Sequence, residues 1–410
     1  MFKITTIGAT LSGNKGAAAM LLSCVDNIPK ILDNVSYKIL SIYPEEDKRI
    51  STDINVEVIA AKPTALLLAI PLACLWMLLK IMHISPNILQ KNKILNAIEE
   101  SDLFIDLSGI SFSDGRGIVL AYNVACILPA ILMKKPVMKY SQALGPFDTL
   151  GNRWLAKTLL PYMRVIASRG TITHKYLSEL GLENVSLCAD AAFTLHDQSN
   201  DNNIAVKLNN SKSLVGREIV GISASSVVRT YCEKKQIDYC RIIARFSDQI
   251  IASGKYSVRL IAHAVRESKR GGRTNDIDTC QKIYHQMEYK EYCQLIIEDY
   301  TPSELRTIIG NSNYFIASRF HSMVFALSEN IPVIVIAWSH KYREVLAMFD
   351  LENWAIGYSE LTRSNLLNEF EALVSENKEI RTLIQTYLPS VIDSSYQNAS
   401  IAASLLRTEH

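Results

Sequence analysis

Four basic or titratable side chains, Arg319, His321, His340 and Lys341, stand close together in the sequence. Guanidinium and ammonium groups bind phosphates and carboxylates. Imidazole titrates near neutrality and can transfer a proton. Together these side chains suit a small anion with several charges. Taken singly, each has an alternative as an ordinary surface charge or as a histidine at the start of a helix.

The apolar segments around these residues indicate how they could meet. Residues 314–317 read as a buried strand, residues 323–328 as a helix and residues 332–337 as a second strand. This is the βαβ pattern of a parallel sheet. Open α/β folds bind ligands at the carboxyl edge of such strands, and helix N-termini favour anions. The sequence therefore predicts an anion site built on two strand ends.

A glycine-rich loop opens the chain. A first strand, residues 2–7, leads into Gly13, Asn14, Lys15 and Gly16, which small residues and a helix follow. Strand, glycine-rich turn and helix are the layout of a loop that binds a phosphate or a sugar nucleotide. The spacing fits neither a dinucleotide-binding nor a Walker motif, and a tight turn without a ligand is the alternative.

These segments resemble the polysaccharide pyruvyl transferase family. Members of this family move the three-carbon unit of phosphoenolpyruvate onto a sugar as a ketal. The resemblance covers residues 7–354 and implies an α/β fold with two Rossmann-like domains facing a cleft, similar to the GT-B arrangement. The matching stretches are Gly13-Asn-Lys-Gly, Ala317-Ser-Arg-Phe-His-Ser-Met-Val-Phe-Ala-Leu, Ile331-Pro-Val-Ile and His340-Lys-Tyr.

The resemblance also suggests roles for individual residues. Arg319 would clamp the anionic donor, and His321 would donate a proton or bind phosphate. Asp114 would accept the proton of a sugar hydroxyl, with a turn or helix cap as its alternative. The chemistry requires neither cofactor nor metal, since phosphoenolpyruvate is the donor substrate. The remaining candidate binding residues lie in loops or at strand ends: Arg229, Arg169, His340, Lys341, His263, Asn14, Gly13, Gly16 and Gln142.

Two other functions remain open. One is a GT-B-type glycosyltransferase that uses a sugar nucleotide, whose phosphates could meet the basic cluster Lys269, Arg270 and Arg273. The other is a catalytically weakened, membrane-docked scaffold of polysaccharide biosynthesis. Its basis is three departures from the family pattern: Ala17 and Gly170 where acids are usual, and Ser108 where glycine is usual. The acceptor of a pyruvyl transferase would be a nucleotide- or lipid-linked saccharide.

Composition limits the class of protein. A length of 410 residues predicts two α/β domains, residues 1–200 and 213–375, a polar linker at residues 198–212 and a helical tail at residues 376–410. The net charge of +2 argues against a nucleic-acid partner. Eight scattered cysteines indicate a reducing compartment, and the first residues do not form a signal peptide. We therefore expect a cytoplasmic protein.

Residues 65–79 are apolar all round. The segment is shorter than the roughly 20 residues that span a bilayer, and Pro71 interrupts it. It predicts either a buried core helix or an interfacial helix with Trp76 at the headgroup level and Lys62 and Lys80 nearby. The second alternative would place the protein peripherally on the inner face of the cell membrane.

Overall fold

The computed structural model describes residues 1–115, 117–196, 216–266 and 275–408, and the chain divides into two compact units. The first unit contains Met1–Ser12, Met20–Thr194 and Ile392–His410, and the second contains Gly13–Ala19 and Leu195–Val391. Residues 13–19 and 392–410 are thus assigned differently from the predicted boundaries. The predicted linker at residues 198–212 and the predicted basic cluster Lys269, Arg270 and Arg273 lie outside the described residues.

Within the described residues, the first unit contains an eight-stranded parallel sheet with strand order β3-β2-β1-β4-β6-β7-β8 and a short β5 paired with β6. The strands are β1 (Phe2–Ile7), β2 (Val35–Ser41), β3 (Val56–Ala60), β4 (Leu103–Asp106), β5 (Ile110–Ser111), β6 (Val137–Leu144), β7 (Val165–Ser168) and β8 (Val185–Leu187). The helices between them are α1 (Lys15–Asn27), α2 (Pro44–Ile50), α3 (Pro63–Ile81), α4 (Lys93–Glu100), α5 (Gly117–Leu132), α6 (Leu150–Leu159) and α7 (Thr171–Glu179).

The second unit, over the same described ranges, contains a six-stranded parallel sheet with strand order β11-β10-β9-β12-β13-β14. The strands are β9 (Glu218–Ala224), β10 (Tyr256–Ala262), β11 (Cys293–Ile296), β12 (Tyr314–Ala317), β13 (Val333–Ala337) and β14 (Ala355–Gly357). The helices are α8 (Ser226–Glu233), α9 (Tyr239–Ala252), α10 (Ile277–Gln286), α11 (Pro302–Gly310), α12 (Phe320–Ser328), α13 (Lys341–Leu346), α14 (Arg363–Ser375) and α15 (Asn377–Thr408).

Burial along the strands shows that helices cover both faces of each sheet. Every residue of β6, β10 and β13 is buried, as expected for strands whose two faces both pack against helices. Local signals set several helix ends. At the start of α11, for example, Thr301 and Glu304 form a capping box with Pro302 in the first turn.

The last helix, α15, continues through Pro389. An internal proline removes one backbone donor and disfavours a helix, but tertiary contacts hold α15 on both sides of it. Arg381 donates to the carbonyl of Asn330 at 2.5 Å, and Asn398 donates to the carbonyl of Ala189 at 3.0 Å. Packing thus outweighs the local preference, and the end of the helix belongs to the first unit.

The apolar segment at residues 65–79 forms most of α3. Only one face of this helix is buried, along Leu66, Ala69, Ala73 and Trp76. By length and composition, α3 is the one helix in the described part of the chain that could cross a membrane, and 22% of its most apolar stretch is buried. The helix therefore packs one face into the core of the first unit and leaves the opposite face exposed.

Candidate active site

The register of the second sheet brings several polar strand ends together. Ala224 of β9 pairs with Ala262 of β10, and Ser223 pairs with Ala317 of β12. The residues that follow these strands therefore leave the sheet at the same carboxyl edge. As predicted, Arg319 lies at the turn between β12 and α12. This edge forms the candidate active site.

Arg319 is held by a carboxylate that the sequence analysis did not select. Its Nε donates to Oδ2 of Asp276 at 2.8 Å, and its Nη2 donates to Oδ1 at 2.5 Å. Nη2 also donates to the hydroxyl of Ser226 at 3.1 Å. Burial disfavours the charged guanidinium, but the Asp276 carboxylate outweighs burial and raises the pKa of Arg319. Arg319 is thus a fixed, charged group, and 15% of its side chain is exposed.

Asp276 organises the site beyond this ion pair. Its carboxylate is fully buried and also accepts hydrogen bonds from the backbone N–H groups of Ser226 and Ala264, both at 2.9 Å. Four donor groups from three different elements therefore converge on one side chain. An aspartate in this position fixes the ends of β9, β10 and β12 relative to each other.

The glycine-rich loop at residues 13–19 packs onto this site within the second unit. The backbone of Asn14 bridges that of Ala264, and the N–H of Val265 donates to the carbonyl of Gly13 at 3.2 Å. Lys15 is almost completely buried, and its Nζ lies 2.5 Å from a carboxylate oxygen of Asp299. The loop thus brings a buried ammonium group to the site, and no local sequence pattern distinguishes Lys15 from the glycines around it.

Two glycines of the loop are required by close side-chain approaches. A Cβ at Gly16 would lie 1.9 Å from Nδ1 of His321, and a Cβ at Gly13 would lie 2.1 Å from Nη2 of Arg266. Gly13 also has a φ of +78°, which side chains rarely adopt. The glycines therefore make room for His321 and Arg266, whereas the sequence suggested that they make room for a ligand.

We expect Gly16→Ala to displace His321 and to reduce any activity that depends on this imidazole by about tenfold to a hundredfold, since small misplacements of reacting groups have effects of this size. Release of phosphate from phosphoenolpyruvate measures the effect. Gly151→Ala is the matched control, because nothing lies within 4 Å of the added Cβ. Equal activity of both variants would show that the position of His321 is irrelevant.

His321 and Lys341 contact the same aromatic side chain. The rings of His321 and Phe320 pack edge to face with centroids 5.0 Å apart. The ammonium of Lys341 lies 4.7 Å from the Phe320 centroid, 5.1 Å from that of Trp338 and 5.5 Å from that of Tyr342. Cation–π contacts thus hold this charge against the aromatic residue at the start of α12, and half-buried His340 precedes Lys341.

His263 is buried at the same edge as a neutral histidine. Burial lowers its pKa to about 3, and the positive charges of Arg319 and Lys15 add to this effect. Its ring packs against Phe325 with centroids 5.4 Å apart. Among the residues that the structure describes, Nε2 has no hydrogen-bond partner. His263 therefore contributes shape and polarity to the site without a positive charge.

The pKa of His263 predicts acid sensitivity. The folded value of about 3 lies below the ordinary value of 6.5, so the unfolded chain takes up the proton first. The contribution of His263 to the free energy of unfolding is therefore fully present above pH 6.5 and is lost as the pH falls towards 3. Between pH 7 and pH 5 the loss is about 2 kcal/mol. Denaturant unfolding at both pH values tests this, with His263→Phe as the variant. The same acid loss in wild type and variant would contradict the assignment.

Arg229 does not join this site. The sequence placed it in a loop, but it lies on α8 and forms an ion pair with Glu233 at 3.4 Å. Both residues line a surface groove of about 510 Å³ that also contains Lys282. The hydroxyl of Ser225 caps α8 directly after β9. The helix therefore begins before Arg229 and includes it.

Arg169 is part of the interior of the first unit, so the prediction that it clamps a donor is wrong. Its side chain is 1% exposed, and Nη1 donates to Asp190 at 2.7 Å. Nη2 donates to the carbonyl of Gly109 at 2.8 Å. The next residue, Gly170, has a φ of +129°, where an acidic side chain would be strained.

Gln142 is also engaged inside the first unit, in a network at the carboxyl ends of β4 and β6. Its amide N–H donates to the carbonyl of Asp106 at 2.6 Å, and its carbonyl accepts from Ser111 at 2.6 Å. Lys139 and Asp106 form a fully buried ion pair at 2.7 Å next to it. The predicted contact of Gln142 with an acceptor sugar would have to replace these bonds.

Asp114 holds a turn in the first unit. Its carboxylate accepts hydrogen bonds from the N–H groups of Asp148 and Thr149, the hydroxyl of Thr149 and the amide of Asn152. Partial burial alone would raise the pKa of Asp114, but these bonds outweigh it and lower the pKa. The side chain is therefore an ionised, weakly basic carboxylate, and its observed contacts match the predicted alternative role in a turn.

The candidate active site of the second unit thus joins Lys15, His263, Arg319, His321 and Lys341, with Asp276 and Asp299 as counter-charges. Such a set can bind an anion and transfer a proton. In the described part of the chain, no three His, Cys, Asp or Glu side chains are grouped closely enough to hold a metal ion.

The two-sheet architecture is that of GT-B-like proteins, and it confirms the predicted fold class. MnaA from S. aureus with UDP has a TM-score of 0.64 at 13% identity, covering 95% of this chain and 92% of that chain. UDP-GlcNAc 2-epimerase from Neisseria meningitidis has a TM-score of 0.61 at 13% identity, covering 99% and 100%. A glycosyltransferase from Rickettsia africae has a TM-score of 0.60 at 9% identity, covering 99% and 98%. At these identities only the fold is shared.

Sequence comparison is more specific than the fold. The model of the polysaccharide pyruvyl transferase family matches residues 14–340, and this chain belongs to that family. The amylovoran biosynthesis protein AmsJ of Erwinia amylovora is 19% identical over 408 residues, covering 92% of this chain and 93% of AmsJ. The family predicted from the sequence is confirmed.

Proposed function

We propose that this protein transfers the pyruvyl unit of phosphoenolpyruvate to a sugar of a cell-surface polysaccharide precursor and forms a pyruvate ketal. The observation that supports this most is the cationic edge of the second sheet, where Lys15, His321 and Lys341 lie around the β12–α12 turn. Membership of the family supports the reaction class. Similarity to AmsJ supports a place in polysaccharide biosynthesis.

The proposed reaction has two balanced steps. A first sugar hydroxyl adds to C2 of phosphoenolpyruvate, a proton reaches the methylene carbon, and the hydroxyl proton passes to a base. A second hydroxyl of the sugar then displaces the phosphate at C2 and loses its proton. One diol and one phosphoenolpyruvate thus give one cyclic ketal and one inorganic phosphate, without an oxidant, a reductant or a nucleotide.

The residues divide between donor and acceptor. We assign His321 as the acid that protonates the methylene carbon, because it is a half-buried imidazole at the α12 N-terminus. Lys341 neutralises the phosphate and carboxylate. Arg319 and Lys15, whose charges Asp276 and Asp299 balance, would donate hydrogen bonds to the same anion. Asp114 remains the proposed base, and it would exchange the Thr149 hydroxyl for that of the sugar.

The test is incubation of the purified protein with phosphoenolpyruvate and candidate nucleotide- or lipid-linked saccharides. The expected result is release of inorganic phosphate that requires the acceptor, together with a saccharide product whose mass has increased by one ketal-linked pyruvyl group. An unchanged saccharide in every case, with phosphoenolpyruvate intact, would reject the proposal.

A second candidate function is glycosyl transfer from a sugar nucleotide. Its support is the fold shared with MnaA, whose structure contains UDP. The released product discriminates between the two, since glycosyl transfer liberates a nucleoside diphosphate and pyruvyl transfer liberates phosphate. A third candidate is a catalytically weakened scaffold. Unchanged cell-surface polysaccharide in cells that carry His321→Ala would favour it.

We also propose that the protein works in the cytoplasm, peripherally on the inner face of the cell membrane. A lipid-linked acceptor would be presented there. The half-exposed apolar helix α3 supports this location, and its surface leads to a more specific inference.

A further inference from the structure

Helix α3 has two apolar stripes, and only one of them meets the protein. Leu66, Ala69, Ala73 and Trp76 are buried. Leu68, Pro71, Leu75, Leu78 and Met82 recur every three or four residues on the other side, so they share one face. The leucines of this outer stripe are 43% to 65% exposed. Apolar surface of this extent on one helix marks an interaction site.

The geometry of α3 favours contact with a membrane surface over a bilayer span. Its 19 residues extend about 28 Å, but the inner stripe packs within the core of the first unit, where α5 also lies. Lipid can therefore reach only the outer stripe, as in a helix that lies in the plane of the interface. Lys62 and Lys80 stand at the two ends of the helix and are exposed, which suits the headgroup level.

The charge around α3 is mainly positive, with Asp102 and Glu99 near Lys135 as the acidic exceptions. Residues 58–98 contain no Asp or Glu, and neither do residues 115–147, which include α5. The same segments carry several exposed lysines: Lys62, Lys80, Lys91, Lys93 and Lys134. A basic surface around an apolar stripe is complementary to anionic lipid headgroups. A second copy of this chain would instead bring the same positive charges face to face.

A groove at the edge of this surface could receive a headgroup. It has a volume of about 600 Å³ and lies between Met77 of α3, the end of α5 and the turn after α6. Its lining is apolar at Met77 and Leu132 and basic at Lys134, Lys135 and Arg164. Tyr162, which is 65% exposed, also lines it. An acyl chain and a phosphate therefore both find matching chemistry there.

We propose that the outer stripe of α3 docks onto an anionic bilayer and that this groove binds the phosphate and upper acyl chain of a phospholipid. The inference deepens the peripheral location proposed above and requires no assumption about the pyruvyl donor. Docking in this way would hold the first unit at the surface where lipid-linked saccharides reside.

Co-sedimentation of the full chain with vesicles tests the inference. We expect binding to vesicles that contain phosphatidylglycerol at low salt, and at least about tenfold weaker binding to pure phosphatidylcholine vesicles or at high salt. The triple variant Leu68→Gln, Leu75→Gln and Leu78→Gln should lose about tenfold or more. Its unfolding temperature should be unchanged, because these side chains are exposed.

Two double variants with the same change of charge test whether the lysines near α3 contribute to membrane binding. Lys80→Glu with Lys134→Glu should weaken binding to phosphatidylglycerol vesicles about tenfold or more. Lys255→Glu with Lys378→Glu makes the same change of charge at exposed positions of the second unit and should leave binding unchanged. If both double variants lose vesicle binding equally, net charge alone explains the effect, and the proposed surface is wrong.

Two further outcomes would also overturn it. One is wild-type protein that stays in solution with anionic vesicles at low salt. The other is a dimer, seen by light scattering, that the leucine variant dissociates while vesicles bind neither form. Phosphate release with a soluble acceptor is measured on the same preparations. If the protein releases phosphate but does not bind vesicles, only the docking proposal is rejected. If it binds vesicles but releases no phosphate, only the pyruvyl-transfer proposal is rejected.

Discussion

Asp276→Ala is expected to lower the free energy of unfolding by about 3–5 kcal/mol, the usual cost of removing one partner of a buried ion pair. The substitution leaves the Arg319 guanidinium without its bidentate partner. It also leaves the N–H groups of Ser226 and Ala264 without the acceptor that they now use. Each buried donor that loses its partner adds a cost of its own.

Urea unfolding of the second unit measures this loss, and the chain offers a matched control. Arg245 and Glu288 form an ion pair whose side chains are 44% and 62% exposed. Glu288→Ala should cost far less than Asp276→Ala, because water screens an exposed ion pair. Asp276→Asn keeps an oxygen acceptor and should lie between the two. A loss below 1 kcal/mol for Asp276→Ala would mean that this carboxylate does not organise the three strand ends.

His321→Ala is expected to reduce kcat for phosphate release by about 10²–10⁴, the usual contribution of a general acid. Stability should change little, because the ring is half-buried and its position at the start of α12 does not supply the capping bond. Steady-state kinetics with phosphoenolpyruvate and an acceptor provide the measurement. His285→Ala is the control, since that histidine is exposed on α10.

The kinetic constants also separate two roles for His321. Loss of a proton donor lowers kcat, whereas loss of a phosphate ligand raises KM and leaves kcat unchanged. An increase of KM alone would reassign His321 to donor binding. Unchanged values of both constants would remove it from the site.

Local patterns were sufficient to predict where Arg319 and Lys341 lie in the fold. The apolar run that ends at Ala317 and the run that begins at Pro332 are too short for anything but buried strands. A parallel sheet then places Arg319 and Lys341 at the same edge. The predicted strand, helix and strand correspond to β12, α12 and β13, because their formation depends on residues close together in the sequence.

The partners of these residues could not be predicted in the same way. Asp276 and Arg319, like Lys15 and Asp299, are far apart in sequence, so no local pattern connects them. Arg169 and Gln142 show the converse problem. A polar residue after a strand can face a ligand or complete a buried network, and only the tertiary structure distinguishes the two.

Local preference also failed where packing opposed it. Pro389 should end a helix, yet contacts on both sides carry α15 through it. The apolar character of α3 is typical of a core helix, but the first unit covers only one of its faces. In both cases the deciding interaction comes from residues elsewhere in the chain.

The assignment of residues 13–19 to the second unit affects how this protein can be divided experimentally. A fragment that starts after residue 215 would lack Lys15 and would leave a gap beside His321 where Gly16 now packs. A chimera joined to a relative near residue 200 would combine residues 13–19 of one protein with the candidate active site of the other. Fragments and chimeras should therefore take residues 13–19 and residues 195–391 from the same parent.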